Sequence, residues 1–313
     1  MSDGTLLAID VGTTTARCIL FDLAGMPVAE AYRESKVYHP RTNWAEADAE
    51  EWWAATACVI REVLDRPGIS NAQVLGVGLC GLQHALVPID HRGSPLSRAI
   101  LWMDQRCQPQ VEWLNREHRE LVGQMRDGGA VLSTTFSAPK LRWITENQPE
   151  LVRQTHKFLP AKDFIRFRLT GNAATDPYDA AGTWLLDSRT GQWSRDMLEL
   201  VGVPLEKMPH MCSATHVAGG ITREAARATG LLQGTPVVVG SGDVLCTCLG
   251  ANASGSSRAC LYLGTAAWVS IPRPESRDRT IKATATTGAS LRWMADLLGT
   301  ADPGTEIRPA DGN

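Results

Sequence analysis

The first apolar run, residues 6–9, closes on Asp10, passes through Gly12, Thr13 and Thr14, and resumes over 16–21 before a second acid, Asp22. This pattern predicts two antiparallel strands joined by a polar turn. Residues 23–27 read as another turn, and 28–37, with alternating character, as a third strand. From Asp48 the period lengthens, placing Trp52, Thr56, Val59 and Val63 on one helical face. Asp48 with Glu51 three residues later has the form of a capping box, and Pro67-Gly68 marks the stop. The run "VLGVGLCG" over 74–81 is almost continuously apolar, as expected of a strand buried on both faces.

The middle of the chain reads as mostly helical. Residues 138–152 carry Pro139 where a first helical turn tolerates it, and 161–170 run into Gly171, a helix stop. Further on, "TPVVVGSGDVLCTCLGA" predicts a buried strand, a Gly turn carrying Asp243, and a helix. The small polar stretch 250–257 is expected to be a hinge or domain boundary. After it, "RACLYLGTAAWVSI" again places two apolar runs around a Gly-Thr turn, at Gly264 and Thr265. This echoes the opening hairpin, and each copy would open one domain. Residues 287–299 read as a helix and 300–313 as a loose tail. Only about sixty residues follow the hinge, the low limit for an independent domain, so the second domain is expected to be incomplete, with an exposed apolar edge.

Composition narrows the class. With 313 residues, 43% hydrophobic and 21% charged, the chain reads as a soluble globular protein of about two domains. A net charge of −3 without a basic run gives no nucleic-acid footprint. No apolar stretch is long enough to span a bilayer and no secretory signal opens the chain, so the expected setting is the cytoplasm, with no membrane partner. The eight cysteines include no CxxC pair, which argues against a zinc site and for small buried thiols in a reducing compartment.

Four segments, in this order, carry a resemblance to a known family. They are "AIDVGTTTARCILFD"; "GLQHALVPIDHRGSPLSRAILWMDQR"; "FSAPKLRWITENQPE" with "FLPAKDFIRFRLTGNAATDPYDAAGTWLLD"; and "VVVGSGDVLCTCLGA" followed by "LYLGTAAWVS". The chain resembles the FGGY family of carbohydrate kinases, nearest to its xylulokinase-like members. The resemblance implies an α/β, actin-like, ribonuclease H-like fold. It implies a complete sugar-binding N-terminal domain over 1–250 and the start of a C-terminal ATP domain over 251–313, cut off early. The implied reaction is ATP- and Mg2+-dependent phosphorylation of a sugar hydroxyl, with a pentulose such as D-xylulose as the default substrate. The adenine pocket of the family falls beyond the last residue. A catalytically inactive sugar-binding remnant is therefore the alternative reading, and a homodimer stays open. An actin- or chaperone-like ATPase would have no need of "LQHA" or "LWMDQR".

The residues can be weighed one at a time. No GxxxxGK[ST] occurs, so a P-loop is not the device. The turn Gly12, Thr13 and Thr14 can cradle phosphate with backbone N–H and hydroxyl groups, and Asp10 suits magnesium. The bland alternative is a plain hairpin whose strand ends in a turn-favouring Asp. By resemblance, Gly264 and Thr265 hold phosphate from the other domain, and Asp243 is the catalytic base; Asp243 as a helix cap is the alternative. The family often has an amide after this Asp, where Val244 stands here. Gln83 and His84 would face the sugar, where glycerol kinases carry Arg-Glu. Trp102 would offer a ring face to the sugar and Asp104 a further contact, against core packing for Trp102 and a buried salt bridge of Asp104 with Arg106. Lys140 reads as structural.

Overall fold

The computed structural model describes residues 4–125, 131–253, 258–264, 267–272, 279–284, 287, 288, 290 and 294. They fall into two compact units, Met1–Asp243 and Val244–Asn313.

The first unit is built on one mixed sheet. Strands β1 (Thr5–Val11), β2 (Thr15–Asp22) and β3 (Pro27–Glu34) form an antiparallel meander, as their alternation predicts. Helix α1 (Ala49–Leu64) then crosses over, and β4 (Val74–Gly81) returns parallel to β1. Downstream come helices α2 (Ser137–Asn147), α3 (Ala161–Thr170) and α4 (Pro177–Gly182). Strands β5 (Val217–Gly220), β6 (Pro236–Val238) and β7 (Ser241–Gly242) complete the sheet in the order β5-β6-β4-β1-β2-β3, with β7 also alongside β4.

Period-2 alternation explains what each strand does. Leu7, Ile9 and Val11 of β1 turn to the core, where they join Leu20, Trp52, Val59, Ile60, Val63, Leu79, Phe164 and Leu169. Asp10 therefore lies on the opposite, half-buried face. Trp52 is almost fully buried, a contribution of about 1.5–3 kcal/mol for a large apolar side chain. A second cluster, with Leu114, Leu141, Phe158, Trp184 and Met197, packs the helical part of the same unit.

Three elements differ from what the sequence predicts. In β4 only one face is closed: Val77, Leu79 and Gly81 are buried, while Gly76, Gly78 and Cys80 on the other face are half-buried. Gly76 and Gly78 made the run look apolar without having side chains to bury. The capping box at α1 is half made. Asp48 caps the helix by accepting from Glu50 N at 2.9 Å, but the Glu51 carboxylate accepts from the Tyr38 hydroxyl instead. The helical run over 138–152 breaks at Gln148, since Pro149 has no N–H and disfavours helical backbone before it, and a short helix Pro149–Gln154 follows. The stop at Gly171 is as expected, with φ +76° in the left-handed cap.

In the second unit, helix α5 (Asp243–Gly250, whose first residue belongs to the first unit) precedes strands β8 (Cys260–Leu263), β9 (Ala267–Pro272) and β10 (Arg279–Ala283). β8 and β9 pair antiparallel, as their echo of β1 and β2 predicts. Cys248, Ala253, Cys260 and Trp268 form a small core, while Leu261 and Leu263 are 68% and 70% exposed. Thr265, residues 254–257 of the expected hinge, most of the helix expected over 287–299, and the tail 300–313 lie outside the described residues. None of the eight cysteines is in a disulfide; Cys18, Cys107, Cys248 and Cys260 are buried, and Cys58 is exposed on α1. Among the described residues no helix is long and apolar enough to cross a membrane.

Candidate active site at the carboxyl ends of three parallel strands

Strands β1, β4 and β7 run parallel, and their register sets Asp10, Cys80 and Ser241 in one row and Val11, Gly81 and Gly242 in the next. Two strand spacings separate Asp10 from Ser241, about 10 Å between backbones. All three strands then end together. The turn Gly12–Thr13–Thr14 leaves β1, Gln83 and His84 follow β4, and Asp243 follows β7. Loops at the carboxyl ends of parallel strands are where α/β sheets gather ligand groups. The fold thus brings Asp10, Gly12, Thr13, Thr14, Gln83, His84 and Asp243 to the carboxyl end of the sheet.

Asp10 accepts a hydrogen bond from the Cys80 thiol at 3.2 Å. Burial raises its pKa, with the Cys80 bond and the Arg17 charge opposing. A cation beside it would favour the ionised form. The turn is closed by Gly12 N–H donating to Thr15 O at 2.8 Å and anchored by Ser35 N–H donating to Thr14 O at 2.8 Å. The Trp102 indole N–H donates to the Thr13 hydroxyl oxygen at 3.0 Å, tying the "LWMDQR" loop to this turn. The Thr13 oxygen takes the indole proton and keeps its own for another acceptor.

Gln83 donates from Nε2 to Asp179 Oδ1 at 3.0 Å. His84 sits at φ +66°, backbone that costs a side-chain-bearing residue roughly 1–3 kcal/mol. It is held from two sides. Lys140 Nζ donates to the His84 carbonyl at 2.8 Å and also to Thr135 O at 2.8 Å. The ring Nδ1 meets Gly182 O at 2.7 Å; a carbonyl only accepts, so Nδ1–H donates, and a neutral ring has its basic nitrogen at Nε2. Lys140 is thus structural in the direct sense of pinning His84, and burial pulls its pKa down to about 7.

Asp104 was expected to face substrate; it is instead wholly buried in the ion pair that was its alternative. Its carboxylate accepts from Ala45 N–H at 2.6 Å and from the Arg106 guanidinium at 2.8 Å. Arg106 also reaches Glu46 at 2.8 Å and stacks over the Trp44 ring, 3.6 Å from its centroid. Asp104 therefore shapes the loop that presents Trp102.

Asp243 is the first residue of α5 and is half-buried. Its neighbour Gly242 admits nothing larger: a Cβ there would lie 2.6 Å from Gln83 Cδ and 2.6 Å from Asp179 Oδ1. That close approach is what brings Gln83 against the strand that delivers Asp243. Gly264 belongs to the second unit, and Thr265 lies outside the described residues.

Sequence reasoning missed a buried polar group behind this edge. Lys162 Nζ lies 2.8 Å from Asp163, 3.1 Å from Asp176 and 3.1 Å from Asp179, with side chains at most 2% exposed. Burial alone would lower the Lys162 pKa; Asp163, Asp179 and Asp176 together overturn that and raise it. The signal was present in "TDPYDAAG", where Asp176 before Pro177 announces a helix start and Asp179 stands three residues on, on the same helical face.

Among the described residues no group of three or more His, Cys, Asp or Glu could itself cage a metal. Asp10 alone fits a magnesium ion held chiefly by water and substrate phosphates, the usual arrangement for that ion.

The model of the FGGY family of carbohydrate kinases, N-terminal domain, matches residues 5–250. The chain belongs to the FGGY family of carbohydrate kinases. Its curated relatives include a xylulose kinase of Escherichia coli (strain K12), 33% identical over 262 residues, which covers 83% of this chain and 52% of the relative. A glycerol kinase of Thermococcus onnurineus (strain NA1) is 30% identical over 310 residues, covering 95% of this chain and 57% of the relative. Among solved structures, a xylulose kinase from Rhodospirillum rubrum matches with TM-score 0.83 and 27% identity, covering 94% of this chain and 63% of that one. The chain spans about half the length of the curated relatives it matches. Its fold is the actin-like α/β fold of the FGGY sugar kinases.

Proposed function

We propose that this chain carries the sugar side of an ATP-dependent FGGY kinase acting on a pentulose such as D-xylulose, in the cytoplasm. Residues 1–250 would form the sugar-binding domain and 251–313 the beginning of the ATP-binding domain. The observation that carries this reading is the alignment of Asp10 and Asp243 at the same end of three in-register parallel strands. The phosphate-type turn flanks the first and Gln83 the second.

In this reading Asp243 accepts the proton of the attacking sugar hydroxyl. Gln83, His84 and Trp102 face the sugar, and Asp104 orders the Trp102 loop. Gly12, Thr13 and Thr14 meet the phosphates of ATP. Bound magnesium, on the Asp10 side, would supply charge neutralisation on the phosphates.

Calorimetric titration of the chain with D-xylulose, and separately with Mg-ATP, tests the proposal. Binding of both, with ADP release that needs sugar and vanishes in Asp243→Ala, supports a working kinase. Sugar binding without nucleotide binding supports a sugar-binding remnant. Binding of neither overturns the pentulose reading.

A further inference from the structure

We propose that α4 and its cap are a positioning rail for the sugar-side residues: Asp176, Asp179 and Gly182, spaced three apart, each hold one arm of the site through a direct hydrogen bond. Asp176 Oδ2 accepts from the Ser241 hydroxyl at 2.7 Å, two residues before Asp243. Asp179 Oδ1 accepts from Gln83 Nε2 at 3.0 Å. Gly182 O accepts from His84 Nδ1 at 2.7 Å. A step of three places the Asp176 and Asp179 carboxylates near one another on the helix, and Gly182 offers its carbonyl from the last residue of α4, so a single short helix sets the mutual placement of Gln83, His84 and the strand that delivers Asp243. This inference rests on the reading of those residues as the sugar side.

The rail is itself fixed from behind. Asp176 caps α4 by accepting from Tyr178 N–H at 3.1 Å. Lys162 on α3 reaches both Asp176 and Asp179, and Arg166 reaches Asp163 at 3.1 Å. Three carboxylates meet two cations, all with side chains at most 2% exposed, one negative charge in excess if all are ionised. Such a network is a poor source of stability compared with apolar packing, and a well-attested use of buried ionic groups is to specify one geometry. Here the geometry specified is that of Gln83 and Ser241. Burial, with Asp176 and Asp163 adding to it and Lys162 opposing, pushes the Asp179 pKa up to about 7. Whether protonated or ionised, Asp179 can accept from the Gln83 amide.

A double-mutant cycle on D-xylulose affinity tests the rail, using Asp179→Ala, Gln83→Ala and the pair. Each single change is expected to weaken binding by roughly tenfold, and the pair by no more than the worse single change, because Asp179 acts through Gln83. Asp179→Asn keeps an acceptor oxygen and is expected to stay within a few fold of the parent. Additive losses in the pair overturn the proposal. Ser241→Ala probes the Asp176 arm without disturbing the helix cap; it is expected to lower turnover while leaving sugar affinity unchanged. Should the parent chain bind no D-xylulose, the substrate reading fails, and hydrogen exchange judges the rail without ligand. Faster exchange over residues 82–86 in Asp179→Ala but not in Asp179→Asn sustains it, and unchanged exchange in both sinks it.

Discussion

Asp243→Asn keeps the size of the side chain at the start of α5 and removes its ability to take a proton. Turnover is expected to fall by about 10²–10⁴-fold with sugar affinity retained within a few fold, read by a coupled ADP assay beside calorimetry. Lys162→Met acts on another quantity. It leaves Asp163, Asp176 and Asp179 buried without the ammonium that all three face. Breaking a buried ionic group in this way costs about 3–5 kcal/mol. Urea unfolding at pH 7 is expected to show that loss, and to show less of it at pH 5, where a carboxylate can take up a proton instead.

Among the elements, the strand that delivers Asp243 depends on Gly242. Gly242→Ala would push a methyl group into Gln83 and Asp179, each 2.6 Å from the new carbon. Such overpacking costs about 1–3 kcal/mol, and the displaced Gln83 is expected to weaken sugar binding in the same titration. The strands, α1 and the turn after β1 were legible because period 2 and period 3.6 are written directly into residues such as Leu7, Ile9, Trp52 and Val59. The far face of β4 was not, because Gly76 and Gly78 count as apolar in a string and bury nothing. Position in the chain placed Asp10, Gln83 and Asp243 at the ends of their strands. The spacing of Asp176 and Asp179 puts both on one helical face, but that Gln83, 96 residues away, and Lys162 meet Asp179 there is a contact between distant residues that no local period reports. Asp104 has a polar side chain in a motif next to Trp102, and only its neighbours in space reveal that it turns inward.

Over the whole molecule, two buried groups with opposite signs give stability a characteristic pH profile. Asp179, faced by Lys162, Asp163, Asp176 and the Gln83 amide, has its pKa raised from 3.8 to about 7. The folded chain holds that proton longer than the unfolded one, so its contribution is full below pH 3.8 and lost as pH rises through 7. Lys140, faced by Cys107, Asp104 and Arg106, has its pKa lowered from 10.5 to about 7. Here the unfolded chain holds the proton longer, so stability rises with pH between 7 and 10.5. Together they predict a minimum near neutrality. Denaturant midpoints at pH 5, 7 and 9 check it: Asp179→Asn is expected to flatten the acid limb and Lys140→Met the alkaline limb.

The bond from Trp102 to Thr13 has a consequence for how the two substrates would sense each other. An oxygen that gives its own proton to a phosphate becomes a better acceptor from the indole, because hydrogen bonds in a chain polarise one another. Nucleotide arriving at the turn would then steady the ring proposed to face the sugar. By thermodynamic reciprocity a sugar that steadies the ring would tighten the grip on nucleotide by the same factor. Under the proposed function, one threonine hydroxyl would couple the two binding events.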